Sequence, residues 1–146
     1  MRYMQQELKA ECWGVDSTQD FADSLAKDDI FNSRLFCARL PILNLDFGFK
    51  FDVVVAVAVI MHLTVEEIEL WVRDIQNYLV DGGKVMVSYS PKPREDEERF
   101  FEDLGGGVVR QVFLNAGFEL VDESESFDGL GRDVEWRSEV YKFDIL

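Results

Sequence analysis

Short apolar runs and amphipathic stretches alternate along the first third of the chain. Residues 4–8 carry apolar side chains at helical spacing, and the run over 12–15 predicts a strand. Ser17 is placed to cap a following helix over 17–27, because a side-chain oxygen there accepts hydrogen bonds from the first free amides. Residues 35–38 predict a second short strand. The pattern therefore begins as helix, strand, helix, strand.

The middle of the chain holds its strongest apolar signal. Residues 53–60 are eight consecutive apolar side chains, mostly β-branched, without polar alternation. Such a run predicts a strand in a sheet that is covered on both faces. Thr64 and Glu67 then form a capping box, and the helix that follows is predicted to end at the glycines of residues 81–83. Its apolar stripe consists of Ile68, Trp71, Val72, Ile75 and Leu79.

The last third continues the alternation. Residues 84–89 predict a strand, and the charged segment after it is expected to enter a short helix around Phe100 and Leu104. A further helix and strand precede residues 134–143, which alternate as an antiparallel hairpin partner does. The element order predicts one α/β domain over residues 1–146, a sheet with helices on both faces.

Composition narrows the classes of partner. The chain has 15 Lys and Arg against 29 Asp and Glu, a formal net charge of -14. This field repels nucleic-acid phosphates and anionic lipid, so a small molecule or a protein is the expected partner. Cys12 and Cys37 lie in apolar stretches and are expected to be buried, and a single histidine excludes a zinc site of Cys and His ligands. No secretion signal or membrane span is visible, which predicts a cytoplasmic protein.

Four segments, in order and spacing, resemble those of class I S-adenosylmethionine-dependent methyltransferases. They are residues 14–17, 51–63, 79–85 and 115–121. The resemblance implies a Rossmann-like mixed sheet, mostly parallel, with an antiparallel strand at the carboxyl terminus. It also implies S-adenosylmethionine as cofactor, and methyl transfer to a small molecule or a protein as function.

The resemblance also implies roles for individual residues. Asp16 matches the acid that accepts the cofactor's ribose hydroxyls, with Ser17 beside it. Three residues, Ala58, Val59 and Met61, match positions that flank the methionine part of the cofactor. Asp16 has an alternative interpretation as a strand-end acid that is stabilised by the dipole of the next helix.

His62 is the candidate catalytic residue. An unperturbed imidazole titrates near neutrality, so this side chain is suited to remove a substrate proton if methyl transfer requires it. The alternative is a structural role, in which His62 fixes the strand-to-helix turn beside the Thr64 cap. No metal site is predicted.

The chain departs from the family pattern at its start. The first family strand and the glycine-rich loop have no counterpart before Met4, and Gly105–Gly107 follows a helix where that loop follows a strand. An N-terminally truncated domain is therefore expected, with weak or lost cofactor binding. Loss of a central strand leaves two strand edges, which pair directly, are covered by a second copy or another chain, or are distorted. The alternative function is a non-catalytic interaction module.

Overall fold

The computed structural model describes residues 2–20, 23, 34–96, 98–131 and 133–144. The chain divides into two units, Met1–Leu45 and Asp46–Leu146, which are described separately. We call them the amino-terminal unit and the carboxy-terminal unit. The prediction of a single domain stays a prediction.

The amino-terminal unit contains one short helix and a two-stranded sheet. Helix α1 spans Arg2–Gln6, and strands β1 (Gly14–Asp16) and β2 (Leu35–Cys37) pair in parallel. Trp13 and Phe36 stack beside this pair, with ring centroids 6.0 Å apart. The two predicted strands are therefore present, with β1 beginning two residues later than expected.

Other predictions for this unit have mixed outcomes. Most of the predicted helix over 17–27 lies outside the described residues, and its first helical residue is Gln19, which puts Thr18 rather than Ser17 just before the helix. Cys12 is buried as expected, but Cys37 is exposed, so the prediction that both thiols are buried was wrong for Cys37. The short strand β2 leaves one of its sides open to solvent.

The carboxy-terminal unit is a four-stranded sheet with two helices. Strand β3 (Phe51–Val57) is followed by helix α2 (Val65–Ile75) and strand β4 (Leu79–Tyr89). Helix α3 (Val108–Asn115) then leads into strands β5 (Phe118–Phe127) and β6 (Glu135–Phe143). The strand order is β3-β4-β6-β5, in which β3 and β4 are parallel and β6 is antiparallel to both of its neighbours. The predicted antiparallel hairpin at the end of the chain is confirmed.

Local sequence explains how helix α2 begins. The Thr64 hydroxyl oxygen accepts a hydrogen bond from the Glu67 amide at 3.2 Å, and the Glu67 carboxylate accepts one from the Thr64 amide at 3.1 Å. The predicted capping box is thus confirmed. Four members of the predicted stripe are buried on the helix: Ile68, Trp71, Val72 and Ile75.

The predicted end of this helix was wrong. The α-helix stops at Ile75, and a short 3-10 turn over Gln76–Tyr78 leads directly into β4 at Leu79. Pairing with β3 explains the early stop, because Leu79 lies opposite Phe51 in the parallel ladder. The next pair in the ladder is Val53 with Lys84, so five residues of β4 follow Leu79 where only two residues of β3 follow Phe51. The glycines of residues 81–83 lie in this irregularity, where Gly82 has a φ of 77°, a conformation that favours glycine.

Helices α2 and α3 contact each other and cover one face of the sheet. Trp71 of α2 meets Phe113 of α3 edge to face at 6.4 Å, and Phe113 stacks on Tyr141 of β6 at 4.0 Å. This interior also holds a carboxylate. Glu139 is buried and accepts hydrogen bonds from the hydroxyls of Tyr89 at 2.9 Å and Tyr141 at 2.5 Å. Among the described residues, the buried side chains are therefore apolar except for Ser90 and the cluster around Glu139.

The valine-rich segment differs from its prediction. Strand β3 ends at Val57, and alternate side chains on it are half exposed: Val53 at 51%, Val55 at 40% and Val57 at 56%. Coverage on both faces was therefore wrong for this strand. Among the strands that the structure describes, only β4 pairs with β3, so the other edge of β3 is open.

Candidate functional site

The parallel strands β3 and β4 end at the same edge of the sheet. The Ala58 amide donates a hydrogen bond to the Ser88 carbonyl at 2.8 Å, which continues the ladder one residue beyond β3. Ala58 then adopts a φ of 57°, in the left-handed region that residues other than glycine rarely adopt. Strain of this kind costs about 1 to 3 kcal/mol and tends to be found at functional sites. The turn after β3 is the first component of the candidate site.

Two backbone hydrogen bonds, from His62 to Val59 and from Leu63 to Ile60, fix the backbone that follows Ala58. The amide of His62 donates to the Val59 carbonyl at 3.1 Å, and residues 60–62 form a 3-10 helix. Met61 is buried, and its sulfur lies 3.4 Å from the Ser90 amide just beyond β4. Met61 therefore ties the two strand ends together, and its side chain presents little surface to a ligand. Ala58 and Val59 are partly exposed.

The imidazole of His62 is held from two sides. Its Nδ1 lies 2.8 Å from the Phe100 carbonyl oxygen, and its ring meets the Phe101 ring at 4.7 Å. A carbonyl oxygen can only accept, so Nδ1 carries the hydrogen and a neutral ring has its lone pair on Nε2. This geometry suits the turn-fixing role and leaves Nε2 available as a base. His62 stays a predicted catalytic residue.

A segment that we call the strap, residues 91–96 and 98–104, contacts this turn. The Glu102 amide donates to the Met61 carbonyl at 2.8 Å, and the Glu102 carboxylate accepts from the Val65 amide, at the start of α2, at 3.2 Å. Leu104 closes the strap by donating to the Pro91 carbonyl at 2.9 Å. The predicted short helix around Phe100 and Leu104 was wrong, because the backbone donors of this segment bond across to the turn and to Pro91 instead of along a helix.

Cations gather around one aromatic ring of the strap. The guanidinium carbons of Arg94 and Arg99 lie 4.7 Å and 5.5 Å from the Phe101 ring centroid. Arg99 also pairs with the Asp96 carboxylate at 3.0 Å. The backbone amide of Glu98, followed by the Arg99 side chain, lowers the pKa of Asp96. The ring of Phe101 thus contacts two cationic side chains and His62.

The remaining predicted site residues lie in the amino-terminal unit. Asp16 ends β1, and its Oδ1 accepts a hydrogen bond from the Thr18 amide at 2.7 Å. Ser17 is exposed, and its carbonyl lies 3.7 Å from the Cys37 sulfur. The contact with Thr18 is the one expected of a strand-end acid that caps the next segment. The structure therefore brings Ala58, Val59, Met61 and His62 together, while a shared cleft with Asp16 stays a prediction.

Within the described ranges, no three His, Cys, Asp or Glu side chains converge as metal ligands would. None of the helices in the described part of the chain is long and apolar enough to cross a membrane.

Solved structures of S-adenosylmethionine-dependent methyltransferases share this fold. One from Clostridium acetobutylicum ATCC 824 matches with a TM-score of 0.69 at 13% identity, over 92% of this chain and 76% of that chain. The N-methyltransferase NodS from Bradyrhizobium japonicum WM9, solved with S-adenosyl-L-homocysteine, matches with a TM-score of 0.64 at 14% identity, over 88% of this chain and 64% of that one. A third solved structure, the PH0226 protein from Pyrococcus horikoshii OT3, whose name states no activity, matches with a TM-score of 0.70 at 19% identity. The match covers 98% of this chain and 76% of that chain.

These matches establish the class of fold. The chain has the class I S-adenosylmethionine-dependent methyltransferase fold, a Rossmann-like mixed sheet, and the predicted fold class is confirmed. No protein-family model matches the sequence, and no curated protein matches it either. Since one fold hosts many activities, the function has to be argued from the site.

Sequence reasoning missed three residues of this region. Glu102 caps α2 from 37 residues away, and no local pattern announces such a contact. Arg94 and Phe101 lie in a charged segment that resembles a solvated loop, and their stacking comes from the tertiary fold. The only sequence feature that points to this region is the pair of phenylalanines, Phe100 and Phe101, within the acidic run of residues 95–103.

Proposed function

We propose that this chain acts as an S-adenosylmethionine-dependent methyltransferase domain on a small molecule or a protein. The observation that carries the proposal is the strained Ala58 turn at the carboxyl end of β3, beside the end of β4, in a class I methyltransferase fold. Ligands of open α/β sheets bind outside the carboxyl ends of the strands. The -14 charge argues against nucleic acid as the methyl acceptor, and a cytoplasmic location is part of the proposal.

The residues present suit the cofactor in part. Asp16 has one oxygen bonded to Thr18, but a carboxylate offers about four acceptor sites, so it keeps capacity for the two hydroxyls of a ribose. In the carboxy-terminal unit, Ala58 and Val59 would offer backbone groups and a small apolar surface to the methionine part of the cofactor. When bound, S-adenosylmethionine supplies an activated methyl group on a sulfonium.

The protein has a modest chemical task in such a reaction. Positioning of the acceptor accounts for most of the rate, because the methyl group is already activated. His62 would take a proton at Nε2, since its Nδ1–H is engaged by the Phe100 carbonyl. The strap would hold this side of the turn in place through the contacts of Glu102 and Phe101.

Calorimetric titration with S-adenosylhomocysteine tests the proposal. We expect weak but measurable binding, and we expect Asp16→Ala to weaken it at least tenfold because the diol loses its acceptor. Asp20→Ala is the matched control, since Asp20 is an exposed acid four residues further on. Absence of measurable binding to the folded chain would remove the methyltransferase proposal.

A second candidate function rests on the open edge of β3. The half-exposed valines and the unpaired outer edge would suit a strand from a second copy of this chain, added by backbone hydrogen bonding. On this proposal the chain is a non-catalytic interaction module with weak or no cofactor binding. Light scattering across a concentration series tests it, and a monomer at the highest concentration would overturn it.

A further inference from the structure

Arg94 holds a buried polar atom without a partner. Its side chain is half-buried on the strap, and its Nε lies out of solvent with no hydrogen-bond acceptor. Its guanidinium lies over the Phe101 ring at 4.7 Å. A buried donor that is left unsatisfied costs about 1 to 3 kcal/mol. The terminal nitrogens of the same guanidinium are not buried in this way, so they are the atoms that a ligand can reach.

Three other arginines of this unit differ from Arg94 in one respect. Arg110 and Arg137 also have a buried Nε without a hydrogen bond, but each has a carboxylate within ion-pair distance. Arg99 pairs with Asp96. Arg94 makes no ion pair with any described acid, although the chain carries 29 acidic residues. The positive charge of Arg94 therefore lacks a counter-ion within the described structure.

The position of Arg94 links it to the candidate site. The same distance, 4.7 Å, separates the Phe101 ring centroid from the Arg94 guanidinium carbon and from the His62 ring. His62 in turn lies in the turn that follows β3, where the parallel strands end. Arg94 and the candidate base thus contact the same aromatic ring.

We propose that Arg94 binds a carboxylate group of the methyl acceptor, an inference that rests on the proposed function. A guanidinium matches a carboxylate in a two-bond fork, and it holds the acceptor's orientation as well as its charge. A singly charged group fits better than a phosphate, because the exposed acids Glu95, Asp96 and Glu98 lie on the same strap and repel a second negative charge. The substrate class is therefore a small carboxylic acid, or a protein segment with an accessible carboxylate.

Titration of the cofactor-free protein with benzoate tests this proposal by nuclear magnetic resonance. Benzamide is the control compound, because it has nearly the size and shape of benzoate but no charge. We expect benzoate to shift the Arg94 Nε–Hε resonance and benzamide to leave it unchanged. Arg94→Gln should weaken benzoate binding at least tenfold, and Arg94→Lys, which keeps the charge without the fork, should weaken it less. Arg73→Gln, an exposed arginine on α2, is the matched control.

Each outcome decides the proposal. An equal response to benzamide, full binding by Arg94→Gln, or tighter binding of inorganic phosphate would overturn it. Benzoate binding by a chain that does not bind S-adenosylhomocysteine would keep the carboxylate site and remove the methyltransferase function. The reverse result, cofactor binding without a benzoate response, would keep the function and remove Arg94 from it.

Discussion

The two edges of the four-stranded sheet are built differently. Strand β5, at one edge, is irregular between Leu120 and Asp122 and carries ion pairs of Glu123 with Arg110 and of Glu125 with Arg137. Strand β3, at the other edge, has one charged residue, Asp52, and three half-exposed valines. Charges and bulges are the usual protection of an edge against added strands. Only one edge of this sheet has that protection.

This difference bears on what each edge is for. An edge with acids and a bulge is suited to remain an edge in water, whereas an apolar, unprotected edge is a template for another strand. The valines of β3 would be an aggregation hazard if the strand stayed uncovered. We infer that β3 is the edge at which this sheet is completed, and β5 the edge at which it ends.

The largest predicted effect concerns the strand that joins β5 to the sheet. Glu139→Ala on β6 leaves the hydroxyls of Tyr89 and Tyr141 buried without their acceptor. We expect the free energy of unfolding to fall by about 3 kcal/mol, measured by urea denaturation. Amide exchange should rise in β5 and β6 before it rises in β3. Glu119→Ala on the exposed side of β5 is the control, and a loss no larger than that control would contradict the prediction.

Alkaline pH should weaken the same cluster. Burial, together with the charge and hydrogen bonding of Glu139, raises the pKa of both Tyr89 and Tyr141 well above the ordinary 10.0. The stabilisation is complete below pH 10 and is lost above it, because the unfolded tyrosines then release protons that the folded ones keep. By pH 11 the loss is about 1.4 kcal/mol for each tyrosine. Denaturation curves from pH 8 upward measure it, and Tyr89→Phe should halve the slope.

A pH dependence that Tyr89→Phe and Tyr141→Phe left unchanged would contradict this account.

Local patterns predicted most of the secondary structure and little of the polar interior. The Thr64 cap and the apolar stripe that begins at Ile68 depend on residues within one or two helical turns, so both can be predicted from the local sequence. Leu79 continues that stripe in sequence, but it belongs to β4 because its pairing partner, Phe51, lies far away in the chain. An acid at position 139 in an alternating strand suggests an outward side chain. Its burial depends on Tyr89, which is 50 residues distant.

The candidate site was predictable to a similar degree. Family resemblance pointed to the turn after β3, and the structure places Ala58 and His62 there, at the carboxyl ends of two parallel strands. The strap contacts were not predictable, because Glu102 and Arg94 act through tertiary packing. Met61 is buried, and its expected place beside the methionine part of the cofactor stays a prediction.

The proposed completion of β3 predicts an asymmetric response to added charge. Val55→Lys should weaken concentration-dependent self-association at least tenfold, about 1.4 kcal/mol, because it places a cation on the strand that pairs. Val121→Lys is the matched control, since Val121 is a similarly exposed valine on β5. Sedimentation of both variants measures the difference. Equal weakening by the two substitutions would show that the edges are equivalent.

The smallest predicted effect concerns the ion pair that protects β5. The Arg110 and Glu123 side chains are 41% and 57% exposed, so water and salt screen their attraction. Arg110→Gln should lower the free energy of unfolding by less than about 1 kcal/mol, and a double-mutant cycle with Glu123→Gln should give a coupling near 0.5 kcal/mol that vanishes at high salt. Urea denaturation at two salt concentrations measures both. A coupling above about 2 kcal/mol would mean that the charges of β5 hold the fold together, whereas a small one leaves protection of the edge as their role.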